Sequence, residues 1–463
     1  MFGINKNLKI HFIGIGGIGM SGIAQVLVKL GYCVSGSDIS ENENIVKLQE
    51  QGVKIYKGHH ESNLEGVQIV VYSSAINHKN PEIIKALEEK LPIIKRAEML
   101  AELMRLKYGI AIAGSHGKTT TTSFVSTIFE KCDQRPTCIV GGIVKNLGCQ
   151  AVHGDSEYLI AEADESDGSF LFLNPIMSVI TNIDNDHMDY YKNEENIKKA
   201  FEEFANKVPF YGVTVINGND ENSCELIGKI RRPHCTYGIT GIKTFTEDID
   251  YSAIDIKFSE DDTCFTLVHK NERVPVKISL SGDHNIQNAL AAIAISHKVG
   301  LSLQNICRAI SSFEGVGRRF EILFNNKKFI LVDDYGHHPT ELKATIATAK
   351  KRYPNKKVVV VFEPHRFSRT KEFWNEFIEC FRTVDSVHIA PIYPASENPI
   401  SGIDSENLVK CINRKFANAQ ELESWDKLKD FFSIYEKEDV VLLSMGAGSI
   451  SRTTREMMKE WKI

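Results

Sequence analysis

Short apolar runs recur along the chain, each closed by a polar or glycine-rich turn and followed by a stretch of helical pattern. Leu8 to Ile13 predicts a first strand, the residues from about Met20 to Leu30 a helix, and Tyr32 to Ser35 and Val67 to Tyr72 further strands. The same unit restarts at Gly109 to Ala113 and continues as a helix through about Lys131. Strands at Tyr158 to Ala161 and Ser178 to Thr181 follow, then a helix from about Glu194 to Asn206. A third series places strands at Phe329 to Val332, Lys357 to Phe362, Val387 to Ala390 and Val440 to Leu443. Strands alternating with helices predict parallel sheets joined by crossover helices, an α/β fold. Between Asp248 and Ile278 the period changes. Ala253-Ile254-Asp255-Ile256-Lys257-Phe258 alternates by twos, which predicts an antiparallel elaboration with one solvated face.

At 463 residues the chain is long enough for roughly three domains. A new phosphate-type loop at Gly114 and a hinge-like pair, Gly315 and Gly317, divide it into residues 1–107, 108–316 and 317–463. The expected architecture is an N-terminal Rossmann-like domain, a central P-loop ATPase-like domain carrying the antiparallel strands, and a C-terminal Rossmann-like domain. Charge narrows the partners: a formal net charge of −5 leaves no basic field to collect nucleic acid. No apolar run approaches the ~18 residues of a membrane span, and Met1 to Lys9 lack a secretory pattern, so a soluble cytoplasmic protein with no membrane partner is expected. The ten cysteines form no Cys-x-x-Cys pair and read as small buried hydrophobes carrying reduced thiols.

Three groups of loop residues carry chemistry. Gly14-Ile15-Gly16-Gly17-Ile18-Gly19 fits G-x-G-x-x-G after a strand, with Asp38 further on. Such a loop lets backbone amides approach a diphosphate at a helix N-terminus, and by itself it suits NAD as well as another nucleotide. Gly114-Ser115-His116-Gly117-Lys118-Thr119-Thr120 lacks the first Walker glycine, since Ile112 stands there, yet keeps Gly-Lys-Thr-Thr at a strand-to-helix turn. Its amides suit ATP phosphates, Lys118 supplies a point charge, and Thr119 or Thr120 offers a hydroxyl to magnesium. The next strand ends in Glu162-Ala163-Asp164-Glu165-Ser166-Asp167, a carboxylate cluster that suits magnesium beside a phosphate loop. Asp186-His187-Met188-Asp189 closes the strand after that and offers a second metal position. In the last third, Asp333 to Pro339 and Glu363 to Thr370 lie at strand ends, where α/β sheets place ligands. Arg366 and Arg369, three apart at a helix start, offer two guanidiniums to carboxylate or phosphate oxygens. His337 and His338 lack the companion ligands of a zinc site.

Taken together, His11 to Gly22, Val34 to Asp38, Gly114 to Thr122, Glu162 to Asp167, Asp186 to Asp189, Asp283-His284-Asn285 with Asn288, Gly317 to Phe320, Asp334 to Pro339 and Pro364 to Thr370 resemble the Mur ligase family. The resemblance covers nearly the whole chain and is nearest the branch that joins UDP-N-acetylmuramate to L-alanine with ATP. It implies a UDP-sugar domain, an ATP domain and a closing domain, and it replaces NAD by the UDP diphosphate at the first loop. Gly16, Gly17, Ile18, Gly19, Asp38, Ser73 and Ser74 would then face the UDP-sugar. Gly114, Ser115, His116, Gly117, Lys118, Thr119 and Thr120 would bind ATP phosphates, with His284, Asn285, Asn288, Arg319 and Asp334 around the nucleotide. Thr119 and Glu162 would hold one Mg2+ and His187 another. Tyr335, His337, Arg366 and Arg369 match positions that meet the muramyl substrate and the alanine, and Lys118, His187, Arg366 and Arg369 are the implied catalytic set. A monomer or weak homodimer is expected. Ser449 stands where the family commonly has Asp. The rival readings are an NAD-linked oxidoreductase on the first loop, a nucleotide-binding switch on the second, and the related ligase that attaches a tripeptide to the same sugar.

Overall fold

The computed structural model describes residues 7–73, 75–144, 149–152, 154–425, 434–435 and 437–460. These form three sheets, each built from the strand-turn-helix unit of the sequence pattern. In the first sheet the spatial order is Lys54–Lys57, Cys33–Asp38, Lys9–Ile13, Ile69–Tyr72, Ile93–Lys95, with every pair parallel. The sequence order reverses on either side of Lys9–Ile13, so the Gly14–Gly19 turn opens at the switch point where such sheets bind ligands.

The second sheet has ten strands. Tyr108–Ala113 lies inside it, between Tyr158–Glu162 and Met177–Ile180, both parallel to it. Beyond Met177–Ile180 come Val213–Asn217, His234–Ile239 and Tyr251–Phe258, still parallel. Thr263–His269 and Glu272–Ile278 complete that edge. The loops joining these last three strands are too short for a crossover and demand hairpins, the antiparallel elaboration read from the alternation. Its phase slips inside Tyr251–Phe258. Tyr251 and Ala253 are buried, whereas beyond them Ile254, Ile256 and Phe258 are the half-buried positions. Asp255, at φ 54°, sits at the slip, as an irregular residue re-aims a strand.

The third sheet runs Glu321–Asn325, Phe329–Asp334, Val440–Met445, Lys357–Phe362, Ser386–Ile389, Ala419–Glu421. Only its first pair is antiparallel. The Val358–Phe362 run is wholly buried, the signature of a central parallel strand covered on both faces.

The chain separates into two compact units. One holds residues up to Ile256 with Phe265–Ile278 and Asn285–Glu314; the other holds Lys257–Cys264, Ser279–His284 and everything from Gly315. The first unit contains the first sheet together with most of the second, and a shared apolar cluster runs through it, including Phe12, Leu27, Leu100, Phe170, Phe201 and Phe204. Phe170 stacks on Phe204 at 5.0 Å between ring centres and meets Phe201 edge-on at 5.2 Å. The second unit has its own core around Ile330, Val360, Phe362, Phe377 and Val441.

Two sequence expectations need adjustment. Of the described cysteines, Cys138, Cys235, Cys307 and Cys380 are buried, but Cys33 and Cys264 are exposed because they fall on outward positions of edge-side strands. The strands Val213–Asn217 and His234–Ile239 were not anticipated: a run of five or six residues without flanking periodicity does not distinguish strand from buried helix. Among the described residues no helix is long and apolar enough to cross a membrane.

Candidate functional site

In the first sheet the Gly14–Gly19 loop is held by its neighbour strand. Gly14 and Ile15 donate their amides to the Ser37 carbonyl at 2.8 and 3.1 Å, and Gly16 donates to Asp38 Oδ2 at 2.9 Å. Asp38 Oδ1 accepts from the amide and hydroxyl of Ser40. The carboxylate therefore braces the loop, which disfavours the ribose role it would play for NAD. Gly14 needs its φ of 79°, and a Cβ at Gly16 would lie 2.9 Å from Asp38 Oδ2. Gly17 is the N-cap of the Ile18–Lys29 helix, so the free amides of that helix open at the loop. Ser73, after the Ile69–Tyr72 strand, donates its amide to Ile13 and lies against Gly14. Ser74 lies outside the described residues.

In the same unit, Tyr108–Ala113 delivers the second loop to the Lys118–Lys131 helix. Gly114, at φ 135°, has no room for a side chain, since a Cβ would collide with Thr181 Oγ1. Gly117 caps the helix at φ 84°, and a Cβ there would collide with Asn288 Oδ1, which also accepts from Thr121 at 3.2 Å. Asn285 lies one turn from Asn288, whose amide approaches it at 3.4 Å. The neighbouring strand end braces the loop from the other side. Asn182 Oδ1 accepts from the His116 amide at 2.9 Å, Thr181 donates to the His116 carbonyl at 2.6 Å, and the His116 ring pairs with Asp184 at 3.0 Å. Thr119 and Thr120 stand in the first helical turn, Thr120 buried.

Lys118 folds back over its own loop. Its Nζ donates to the Gly114 carbonyl at 2.6 Å and the Ser115 carbonyl at 3.2 Å and pairs with Glu165 Oε1 at 2.7 Å. Burial opposes the lysine's charge, but Glu165 first, then Asp164 and Glu162, raise its pKa and keep it protonated. Glu165 is fully buried, and burial pushes its carboxyl up to about 7 despite Lys118. Its Oε2 is buried and accepts no hydrogen bond from the described residues. His187, at φ 60° and capping a short helix, brings Nε2 to 3.8 Å from Glu165 and 3.5 Å from Asp186, which is buried, whereas Asp189 is exposed. Glu162 is half-buried at the end of its strand. A lysine, carboxylates and an imidazole thus converge at the carboxyl ends of neighbouring inner strands, with Thr119 in the first turn of the helix that follows the loop. Carboxylate and hydroxyl oxygens are the hard donors magnesium takes, and the unsatisfied Glu165 oxygen fits a site made for a cation.

The second unit assembles the remaining candidates around its own strand ends. Asp334 accepts from the amides of Phe320 and Gly336, each at 2.8 Å, and burial pushes it up to about 6 against the pull of Arg319. Arg319 pairs with Glu341 at 3.5 Å and lies over the Tyr335 ring at 5.2 Å. Glu341 also meets His337 at 3.5 Å. His284 is pushed down to about 4 by burial first, with Arg319 and Lys351 lowering it further against Asp283 and Glu341. The arginine pair stands at a helix start, as expected, with Arg366 as the residue that caps it. The helix is Phe367–Glu372, and Arg366 precedes it at φ 72°, its Nε 2.9 Å from Glu397. Arg369 reaches His365 Nδ1 at 3.5 Å, and His365 stacks on Tyr393. Burial and both arginines push His365 down to about 4, leaving it neutral.

Arg96 escaped sequence reasoning, and Glu165 and Asn182 were visible there without the partners the fold gives them. Glu165 lay inside the cited acidic cluster, but only the fold turns it, rather than Asp164 or Glu162, towards Lys118. Arg96 pairs with Asp164 at 3.3 Å, and a Cβ at Gly19 would lie 3.0 Å from its guanidinium, so it touches both loops' surroundings. It also lines a cavity of about 390 Å³ with Tyr72, His78, Lys95, Ser169 and Tyr190. Nothing local in Lys95-Arg96-Ala97 signals that position. Asn182, the loop's brace, stands directly after a strand, where a polar residue was a visible cue.

Residues 9–108 match the family described as Mur ligase family, catalytic domain; residues 112–296 match the Mur ligase middle domain, and 318–448 the Mur ligase, glutamate ligase domain. The chain is 43% identical over 459 residues to a UDP-N-acetylmuramate--L-alanine ligase of Geobacter sp. strain M21, covering 98% of each protein. It is 45% identical over 453 residues to the enzyme of that name from Aquifex aeolicus, covering 98% of this chain and 97% of the relative. Among solved structures it resembles UDP-N-acetylmuramate-alanine ligase MurC from Thermotoga maritima, with a TM-score of 0.82 and 28% identity over 98% of this chain and 99% of that one. A murein peptide ligase from Psychrobacter arcticus shares the fold at a TM-score of 0.70 and 22% identity. Two phosphate-type loops in one unit, a buried lysine-carboxylate pair between strand ends, and full-length likeness of this degree have one common explanation: the chain belongs to the Mur ligase family.

Proposed function

We propose that this protein joins the lactoyl carboxylate of UDP-N-acetylmuramate to the amine of L-alanine at the expense of ATP, in the synthesis of peptidoglycan precursors. The observation that carries the reading is Lys118, held by its own loop carbonyls 2.7 Å from buried Glu165 in the same compact unit as the Gly14–Gly19 loop. Relatives of 43–45% identity bearing that enzyme name support the substrates. The domains divide as 1–107 for the UDP-sugar, 108–316 for ATP and 317–463 for closure.

A carboxylate and an amine do not condense in water without activation. The sugar's carboxylate oxygen attacks the γ-phosphorus of ATP in line, ADP leaves, and an acyl phosphate forms. The neutral amine of alanine then adds to the acyl carbon, and the tetrahedral oxyanion collapses with loss of phosphate. Lys118, released from Glu165 as phosphates enter, moves its charge to the transferring group and stabilises the charge that develops there. The amides from Gly114 to Thr120 orient the phosphates. Thr119 and Glu162 would hold one Mg2+ and His187 a second, with Glu165 and Asp164 beside them, and ions held there would supply neutralisation of phosphate charge. Arg366 and Arg369 orient carboxylates, and neutral His365 keeps Arg369 in place without competing for them. Asp334, Arg319 and His284 serve the nucleotide, and Tyr335 and His337 the amino acid.

The test is ADP release from the purified protein with UDP-N-acetylmuramate, ATP and each amino acid in turn, with the L-Ala-γ-D-Glu-diaminopimelate tripeptide as an alternative acceptor. L-alanine should give the highest kcat/KM; preference for the tripeptide would move the protein to the recycling branch. Oxygen-18 placed in the sugar's carboxylate should appear in the released phosphate, and its absence would sink the acyl-phosphate route.

A further inference from the structure

Arg366 carries the most strained backbone among the proposed substrate residues. A non-glycine residue at φ 72° persists only where its surroundings over-determine it. One flank of that turn is explained by Tyr393: its carbonyl accepts from the Arg366 amide and its own amide donates to the Pro364 carbonyl, each at 2.8 Å, while its ring stacks on His365. The other flank is Glu363. Its amide donates to the Met445 carbonyl at 2.9 Å, and its side chain, 1% exposed, turns towards the loop that follows Val440–Met445. There Ser449 Oγ donates to Oε1 at 2.7 Å and the Ile450 amide donates to Oε2 at 2.9 Å. Gly448 leaves the space for it, since a Cβ there would lie 2.6 Å from Oε2.

The partners of this buried carboxylate are thus a hydroxyl and the amino end of the Ile450–Glu460 helix, whose dipole favours negative charge there. We infer that Glu363 and Ser449 form a positioning pair, one charged and one neutral, that pins the strained Arg366 turn from behind and so aims Arg366 and Arg369 at the amino-acid substrate. Two carboxylates at this hydrogen-bonding distance would repel, so the charge is exchangeable between the two positions: aspartate at 449 is compatible with glutamine at 363 but not with glutamate. The inference rests on the role proposed above for the two arginines.

The experiment compares wild type, S449A, S449D, E363Q and the E363Q/S449D double variant by melting temperature and by steady-state kinetics in L-alanine. S449A and E363Q should each raise the L-alanine KM a few-fold, because each takes away part of the pair that pins the turn, but less than S449D does, since each leaves at most one carboxylate and an acceptor for the helix amide. S449D should raise the L-alanine KM about tenfold, in the range of coupling between contacting residues, with a smaller change in kcat. The double variant should recover both KM and melting temperature. If S449D does not fold, a double variant that folds with a wild-type KM carries the same meaning. A flat response to S449D, or equal damage in S449D and the double variant, would overturn the pairing. Should wild type release no ADP with L-alanine, the functional reading falls, and the melting-temperature cycle still decides whether the pair exists.

Discussion

Replacing Lys118 by methionine keeps the length of the side chain and removes its charge, and the structure predicts two separable consequences. Lys118 Nζ is 2.7 Å from Glu165 Oε1, and the carboxyl is fully buried. Breaking a buried pair from one side typically costs about 3–5 kcal/mol, because the remaining charge is stranded. Glu165 has an escape, since it can take up a proton. A rise from 4.5 to about 7, at about 1.4 kcal/mol per unit, already corresponds to about 3 kcal/mol in favour of the neutral form. The folded-state value lies above the unfolded one, so the folded protein binds the extra proton between pH 4.5 and 7 and stability falls as pH rises through that window. Without Lys118 the attraction that restrains this rise is gone, and the window extends above pH 7. The variant should therefore melt on the order of 10 °C below wild type at pH 8 and approach it at pH 5. Asp164, Tyr191 and His187 also face Glu165, so the control is the K118M/E165Q double variant. It should restore stability and flatten the difference across pH, while ADP release stays abolished in both variants. Scanning fluorimetry from pH 5 to 8 reads the first effect and coupled ADP detection the second. A deficit independent of pH, or one that E165Q fails to relieve, would refute the pairing as the source of the cost.

Three further outcomes follow from the same geometry. Gly117→Ala should cost about 1–2 kcal/mol for the left-handed backbone alone, and displacing Asn288 from Thr121 adds to it; the KM for ATP should rise about tenfold or more while calorimetric binding of the UDP-sugar persists. Glu82 is buried in the first sheet's domain, where burial would raise its pKa, but the His11 ring 3.5 Å away and hydrogen bonds from Ser37 and Asn63 outweigh it and hold the carboxyl at about 2. Its stabilisation is present above pH 4.5 and lost as pH falls towards 2, so Glu82→Gln should flatten the acid limb of an intrinsic-fluorescence unfolding curve by up to about 3 kcal/mol. Removing divalent ions with EDTA should stop ADP release, and added Mg2+ should restore it; turnover that survives chelation would contradict the use assigned to Thr119, Glu162 and His187.

How much of this was visible before folding varies by element. The Glu194–Asn206 helix and the Lys357–Phe362 strand were legible to the residue, because an amphipathic period and an unbroken valine run each satisfy one physical solution. The two glycine loops were equally plain, since positive φ and backbone approach restrict those positions to glycine. Local sequence therefore determined which turns open backbone amides at the start of a helix, and where helices and buried strands lie. Tertiary structure alone decided which of four neighbouring carboxylates turns inward to meet Lys118, that Arg96 reaches Asp164 across 68 positions of chain, and that Arg366 caps its helix at φ 72°. Periodicity records only which face of an element is apolar; the partner a polar side chain finds depends on which strand ends the sheet order brings side by side, and that order is a property of the whole packed chain.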